Sequence, residues 1–262
     1  MKLTVVGCSG SLSGPDSPAS SYLLQAPYQD RIFTLLIDCG PGAMGALYRY
    51  VDPHEIDAIA LSHLHADHCL DMCGYYVAAR YSPNGPWPRR PVYAPAGAAA
   101  RLVGAYQVIG DNGEVSESGA GLAEQFDWHI WQPSQHIGPF VVRTVRVAHP
   151  VEAYGIRVAE DGPSGSAMVY SGDTGPSEDL VRLAAGVDLL LVESAFLDDP
   201  ENPPGMHLSG AQAAAIGQAA QARAVVLTHI PPWHEPQRVL AEAEPHFDGP
   251  VSLATPGATW EI

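Results

Sequence analysis

Apolar positions along the chain fall into short runs and alternations, and long helical stripes are missing from its first half. Runs rich in Val, Ile, Leu and Tyr occupy residues 3–6, 22–24, 32–37 and 56–61, with Gly, Pro, Ser and Asp between them, and that punctuation predicts strands. The stretch DCGPGAMGALYRY predicts a strand that leaves through a Gly-Pro-Gly turn into a short helix. Residues 70–81 read as a helix, 91–93 as a strand, and 97–109 as a helix ending in the turn-like GDNG. Strand-like patterning resumes at 124–131, 141–148, 155–158 and 167–170. The last third alternates: helix 176–185, strand 188–192, helix 210–222, strand 224–227, helix 236–246, strand 251–253.

Strands followed by α/β alternation, twice over, predict an α/β fold in four αββα layers: two sheets face to face with helices on both outer faces. A length of 262 residues suits one core, and a single domain over 1–262 is expected. The Pro-rich stretch YSPNGPWPRRPVYAP at 81–95 reads as a loop able to edge a pocket. Hydrophobic residues at 46% and charged residues at 16% exclude a long disordered chain. No window reaches the roughly 18 consecutive apolar residues of a membrane span, and the start MKLTVVGCSG enters a strand pattern instead of a leader. The expectation is a cytoplasmic protein with no membrane partner. The four cysteines, Cys8, Cys39, Cys69 and Cys73, form no CxxC pair and read as reduced thiols, with Cys69 and Cys73 as small buried hydrophobes.

A formal charge of −16 disfavours a large nucleic-acid partner, whose phosphates need an excess of Lys and Arg. It leaves a small phosphorylated ligand open, because divalent ions dominate the field inside a pocket.

The sharpest feature is SHLHADHCLD, where an apolar run leads directly into His63, His65, Asp67 and His68. Three imidazoles and a carboxylate suit a metal that accepts nitrogen and oxygen donors, zinc above all. If the strand continues, His63 and His65 project to one side by the period of two, and the turn beyond carries Asp67 and His68 toward a second position. A solvated loop would account for one such histidine but not for this cluster.

HLHADH matches the HxHxDH signature, and the chain thereby resembles the metallo-β-lactamase superfamily, whose αββα fold carries metals at the edge of the sandwich. The resemblance implies further ligands, and the sequence supplies each in order: His149 after 141–148, Asp173 in YSGDTG, and His229 in VVLTHIPPW. It implies two divalent ions, zinc first with manganese or iron as alternatives: one on His63, His65 and His149, the other on Asp67, His68 and His229, with Asp173 shared. Such a pair draws a nucleophile from water and clamps both oxygens of an in-line displacement, and Asp67 also orients the water.

Glu193, ending LLLVE, and His207 in MHLSGAQAA resemble the Glu–His pair of the RNase Z-like phosphodiesterase branch, in which the histidine serves the leaving oxygen. A carboxylate-held imidazolium has the right chemistry to protonate a departing alkoxide. Ser209 is expected to cap the helix that follows. Ser9 and Ser11 in the Gly/Ser loop near the start, together with Arg80 and Trp87, are candidate substrate contacts. His54, His129, His136 and His246 read as packing or surface groups, and His234 as a loop residue near the cleft mouth.

The arrangement GCSGSLSGPDSPASSYLL, SHLHADHCLD, YSGDTG and LTHIPPW resembles actinobacterial atypical class II cyclic-AMP phosphodiesterases. This implies hydrolysis of 3′,5′-cyclic nucleotides to 5′-nucleotides and a small phosphodiester as partner, with a homodimer left open. The alternatives are a tRNA 3′-processing endoribonuclease of the RNase Z type, another small-phosphodiester hydrolase, and a di-iron redox protein of the same fold. The redox versions carry HxExDH, and His65 is intact here. RNase Z carries a tRNA-binding arm between the third-motif histidine and the bridging aspartate, and the stretch from His149 to Asp173 leaves no room for one.

Overall fold

The computed structural model describes all residues of 1–262 except 112, 118, 163 and 164. Two seven-stranded sheets dominate it. The first runs in the order Thr259–Glu261, Lys2–Gly7, Ser21–Tyr28, Arg31–Ile37, Ala58–Ala60, Arg90–Ala94, Phe126–Ile130. The second runs Val251–Leu253, Val225–Thr228, Leu189–Glu193, Ala167–Tyr170, Tyr154–Glu160, Phe140–Arg146, Ser134–Ile137. In each, one half of the sheet pairs antiparallel and the other half parallel, the parallel part including Ile37 opposite Ala60 and Leu191 opposite Tyr170.

The alternation seen in the sequence decides which layer each side chain joins. Leu3, Val5, Tyr22, Leu24, Leu35 and Ile37 turn inward to meet Val142, Ile156, Met168, Tyr170 and Leu191 of the facing sheet. Their neighbours Val6, Leu23, Leu36 and Ile59 turn outward, under the helices Ala43–Leu47, Met72–Tyr81 and Ala98–Tyr106. Helices Glu178–Leu183, Gly210–Ala220 and Pro236–Ala243 cover the second sheet in the same way. These are the four αββα layers the pattern predicts, with strands buried on both faces and therefore apolar throughout. No helix among the described residues is long and apolar enough to cross a membrane.

Several boundaries differ from expectation for local reasons. The helix expected over 97–109 stops at Tyr106; the β-branched Val108 and Ile109 pair instead with Val115–Glu117 in a small ribbon, as stiff χ1 rotamers favour. The turn expected at GDNG includes position 112, outside the described residues. The strand expected from 124 begins only at Phe126, because the good helix formers of AGLAEQ wind into Ala120–Gln125. Pro53–Glu55 forms a 3₁₀ turn capped by Asp52, whose side chain accepts from the His54 N–H at 3.0 Å, so the next strand is confined to Ala58–Ala60. The last helix yields at Glu244–His246 to another 3₁₀ turn, where Pro245 removes an N–H. Ser134–Ile137 and Thr259–Glu261, both edge strands, carry too many polar residues to show in an apolar pattern.

Candidate metal centre

Side chains that carry chemistry collect where strands end. Asp38 follows Arg31–Ile37, His63 and His65 follow Ala58–Ala60, and His149 follows Phe140–Arg146; Asp173, Glu193 and His229 stand just after, or at the end of, three of the four parallel strands of the second sheet. The carboxyl edge of parallel strands is where open α/β sheets place ligands. Three of these exits have left-handed backbone: Asp38 at φ 55°, Gly172 at φ 59° and His229 at φ 56°. A Cβ on Gly172 would lie 2.7 Å from the Tyr154 carbonyl oxygen, so glycine alone fits beside Asp173. Residues other than glycine rarely adopt such backbone, and it clusters at functional sites.

The histidine motif reaches the site differently from the strand continuation expected. The strand ends at Ala60, and His65 stands with extended backbone before the one-turn helix Ala66–Cys69. A loop and a helix turn, not the pleat, therefore aim His63, His65, Asp67 and His68.

The donor atoms of His63, His65, His149 and Asp173 lie within 4.8 Å of one another, as do those of Asp67, His68, Asp173 and His229. In the first group His65 Nδ1 is 3.2 Å from His63 Nε2 and 3.1 Å from His149 Nε2. That spacing is close to the edge of a tetrahedron around an ion with 2.0–2.1 Å bonds, about 3.3 Å. Asp173 joins the groups: one oxygen is 3.2 Å from His68 Nε2, and the other is 3.3 Å from His229 Nε2 and 3.6 Å from His63 Nε2. Asp67 lies 3.5 Å from His68 Nε2 and 3.6 Å from His229 Nε2.

An outer partner fixes each buried ring. His68 Nδ1–H donates to Asp38 Oδ2 at 2.7 Å, His149 Nδ1–H to the Met206 carbonyl at 2.9 Å, and His229 Nδ1–H to Ser20 Oγ at 2.9 Å. Ser62 Oγ donates to Asp38 Oδ2 at 2.8 Å and so accepts from His63 Nδ1 at 3.1 Å. With Nδ1 protonated, the Nε2 lone pairs of all four rings point to the centre, the tautomer that metal ligation requires. Asp38 is the hub, since it also accepts from the Ser62 N–H at 2.7 Å and the Tyr170 hydroxyl at 2.9 Å.

Electrostatics agree with this arrangement. Burial pushes His63, His65, His149 and His229 below the ordinary imidazole value, keeping the neutral, ligating form. Burial acts the same way on His68, but the carboxylates of Asp173 and Asp38 outweigh it and raise that ring well above its usual value; a cation takes the place of such a proton. Asp67 and Asp173, although burial opposes it, are held below the carboxylate range by neighbouring imidazoles. His68 Nε2, His229 Nε2 and Asp173 Oδ1 are buried without any hydrogen-bond partner. Buried polar atoms are rarely left so, and these three converge. The donor set fits a pair of divalent ions.

Beside the cluster Glu193 is fully buried. Its oxygens accept from the N–H groups of Thr174 at 2.8 Å, Ala195 at 3.0 Å and Leu208 at 3.3 Å, and from His207 Nδ1 at 2.8 Å. The group Asp173, Glu193 and His207 also has metal-ligand spacing, but four donors already occupy the Glu193 oxygens, so it holds His207 instead. The His207 ring lies between those of His149 and His229, with centroids at 5.5 and 5.8 Å. Burial would lower its pKa; the hydrogen bond and charge of Glu193, with Asp173 and Asp67 behind, raise it instead. Ser209 caps the next helix through a capping box with Gln212.

A family profile described as Beta-lactamase superfamily domain matches residues 34–230, the span that holds every clustered ligand. The chain belongs to this superfamily. Its members' chemistry makes the protein a metal-dependent hydrolase, and the His/Asp clusters are where divalent ions fit. A protein of Mycobacterium tuberculosis is 43% identical over 264 residues, covering 100% of this chain and 92% of its own. The Ribonuclease Z of Myxococcus xanthus is 28% identical, covering 87% of this chain and 88% of its own. The crystal structure of the metallo-β-lactamase fold protein YhfI from Bacillus subtilis superposes with a TM-score of 0.82 at 26% identity, covering 100% of this chain and 99% of that one.

Four expected substrate contacts fare unevenly. Arg80 is exposed in the last turn of Met72–Tyr81, at the end of that helix remote from the histidine motif. Trp87 packs against His54 and Tyr75, and Arg90 donates to the His54 carbonyl. His54 precedes the strand Ala58–Ala60 and the histidines follow it, so Trp87 and the Pro-rich loop lie away from the metal centre and edge a different pocket with Tyr48 and Asp52. The Gly/Ser loop does border the site: Gly10 N–H donates to the Ile230 carbonyl at 3.1 Å, next to His229. Ser9, however, is buried under that loop, where a Cβ on Gly14 would lie 3.3 Å from its Oγ. Ser11 is exposed at φ 64°. A cavity of about 1150 Å³ around Arg31, His54 and Asp57 is set apart from the clustered imidazoles; Arg31 and Asp57 neutralise each other there at 2.7 Å.

Sequence reasoning missed Asp38, Ser20, Ser62, Tyr170 and the Met206 carbonyl. Only Asp38 left a signal, an acid closing the run Arg31–Ile37 and wholly buried.

Proposed function

We propose that this chain is a phosphodiesterase that hydrolyses 3′,5′-cyclic nucleotides, cyclic AMP first among them, to 5′-nucleotides. In this reading one ion, zinc by donor preference, sits on His63, His65 and His149, the other on Asp67, His68 and His229, with Asp173 between them. The observation that carries it is His207, held by buried Glu193 at 2.8 Å beside the histidine cluster. Bound together, paired ions activate water and neutralise charge developing at phosphorus.

The chain's own groups supply the rest. Glu193 accepts the hydrogen bond of His207 Nδ1–H and keeps the ring charged, leaving Nε2–H on the opposite edge to protonate the departing ribose oxygen. Thioester cleavage has less need of such a donor, because a thiolate departs without a proton. Asp67, on the one-turn helix Ala66–Cys69, orients the attacking water.

A second reading, tRNA 3′-end processing, is supported by the likeness to the Ribonuclease Z of Myxococcus xanthus. Two features favour a small substrate. Among the described residues between His149 and Asp173 the only elements are the strands Tyr154–Glu160 and Ala167–Tyr170, and the net charge of −16 opposes a long polyanion.

The test is formation of 5′-AMP from 3′,5′-cyclic AMP by zinc- or manganese-loaded protein, with Asp67→Ala as the blank. Turnover that vanishes in the variant supports the reading. Cleavage of pre-tRNA with none of cyclic AMP would replace it by the second.

A further inference from the structure

Trp233 is 61% exposed, uncommon for the largest side chain, which is highly buried on average. It stands four positions after His229, so the extended-chain limit puts its Cα within about 14 Å of that histidine. The segment between is braced. The backbone turns at His229 with φ 56°, the Ile230 carbonyl accepts from the Gly10 N–H at 3.1 Å, Pro231 is buried, and the His234 N–H closes a turn onto the Pro231 carbonyl at 3.0 Å.

The neighbouring loop runs alongside. Ser9 bridges to Ile230, Leu12 N–H donates to the Gly10 carbonyl at 2.7 Å, and a Cβ on Gly14 would lie 3.5 Å from Pro232 Cβ. Leu12 is 46% exposed at its tip. Two large apolar side chains thus stand uncovered on adjoining loops, both anchored where His229 enters the metal centre. The other groups clustered there are imidazoles and carboxylates, with the half-buried Phe196 ring 5.1 Å from that of His207. Val151, two residues after His149, is also exposed at 38% but offers no flat face for a base, and Ile109 and Val115 belong to the separate ribbon.

We propose that Trp233, flanked by Leu12, is the base-binding wall of this site: its indole stacks on the nucleobase of a mononucleotide whose phosphodiester lies at the histidine cluster. The assignment rests on the cyclic-nucleotide reading above and adds a specificity determinant to it. An aromatic face accepts any base, with the larger purines gaining most area. The nearby Asp16 and Glu235, both exposed, repel further phosphates and suit a substrate that carries one.

The experiment compares wild type, Trp233→Ala and Trp233→Phe, all metal-loaded, on 3′,5′-cyclic AMP and on base-free ribose 3′,5′-cyclic phosphate. Loss of one base–aromatic stack raises KM for cyclic AMP roughly 5- to 150-fold. Expected alongside are a kcat within about twofold, an unchanged KM for the base-free substrate, and recovery of most of the affinity in Trp233→Phe. If wild type turns over cyclic AMP and Trp233→Ala leaves its KM unchanged, or raises KM equally for both substrates, the base-binding assignment is overturned and the phosphodiesterase reading stands. If metal-loaded wild type cleaves neither substrate, the phosphodiesterase reading falls and the assignment falls with it.

Discussion

Glu193→Gln is the most informative single change, because the structure fixes what each oxygen of that side chain does. Oε1 accepts from Thr174 N–H and His207 Nδ1, both at 2.8 Å; Oε2 accepts from Ala195 N–H at 3.0 Å and Leu208 N–H at 3.3 Å. Whichever way the new amide turns, its NH2 faces donors in a fully buried position. A buried group left unsatisfied costs about 1–3 kcal/mol. Facing His207, one of the two losses is relieved when the ring changes tautomer, so the expected destabilisation is that of one unsatisfied group, about 1–3 kcal/mol. For a chain of this length 1 kcal/mol shifts Tm by about 2–4 °C, which predicts a fall of roughly 2–12 °C in a thermal melt.

The same change moves the pH profile. Glu193 raises the pKa of His207 against the effect of burial, so the protonated ring, and with it kcat, persists until pH rises through that elevated value. In Glu193→Gln the descending alkaline limb of kcat moves to lower pH. Metal content, measured by elemental analysis, stays at the wild-type value because Glu193 has no oxygen to spare for an ion. An unchanged Tm with the alkaline limb in place would refute the account of Glu193 as the buried support of His207. Loss of an ion would show that the group Asp173, Glu193 and His207 is itself a ligand set.

Further outcomes follow from other contacts. His207→Ala keeps its metals, loses about 10²–10⁴-fold in kcat on cyclic AMP, and loses much less on a p-nitrophenyl phosphodiester, whose leaving group needs no proton; equal losses on both would contradict a proton donor. Asp38→Ala removes the acceptor of His68, Ser62 and Tyr170 and should weaken metal binding about 10–100-fold, read by chelator competition. Gly172→Ala forces a side chain into left-handed backbone and against the Tyr154 carbonyl. A cost of about 1–3 kcal/mol should appear as a lower Tm, and an unchanged Tm would show that the turn relaxes freely.

The layers of the fold and the members of both metal clusters were legible in the sequence because each rests on short-range pattern: an apolar run, then a ligand. The run 32–37 marked a strand, although only the structure sorts Leu35 from Leu36 into different layers, and the order His63, His65, Asp67, His68, His149, Asp173, His229 needed no distances. What could not be read depends on contacts across the chain. Ser20 meets His229 from 209 residues away and Tyr170 meets Asp38 from 132, and nothing local marks either hydroxyl. Trp87 and Arg80 have suitable chemistry for a nucleotide but sit off the carboxyl edge, and only the direction of the strand Ala58–Ala60 reveals that. The helix turn at Ala66–Cys69 was hidden because four residues are too few to display a period.

Both metal clusters draw on the two sheets at once. His63, His65, Asp67 and His68 come from the first, while His149, Asp173 and His229 come from the second. An ion held by either cluster would thus be a stitch across one open end of the sandwich and would give the local stability of the protein a direction. Stripped of its ions, the molecule should loosen from that end. Amide exchange should quicken first at Cys39, Ser62 and Ser171, whose hydrogen bonds frame the mouth, and last at the strand centres between Leu24, Leu35 and Ile156.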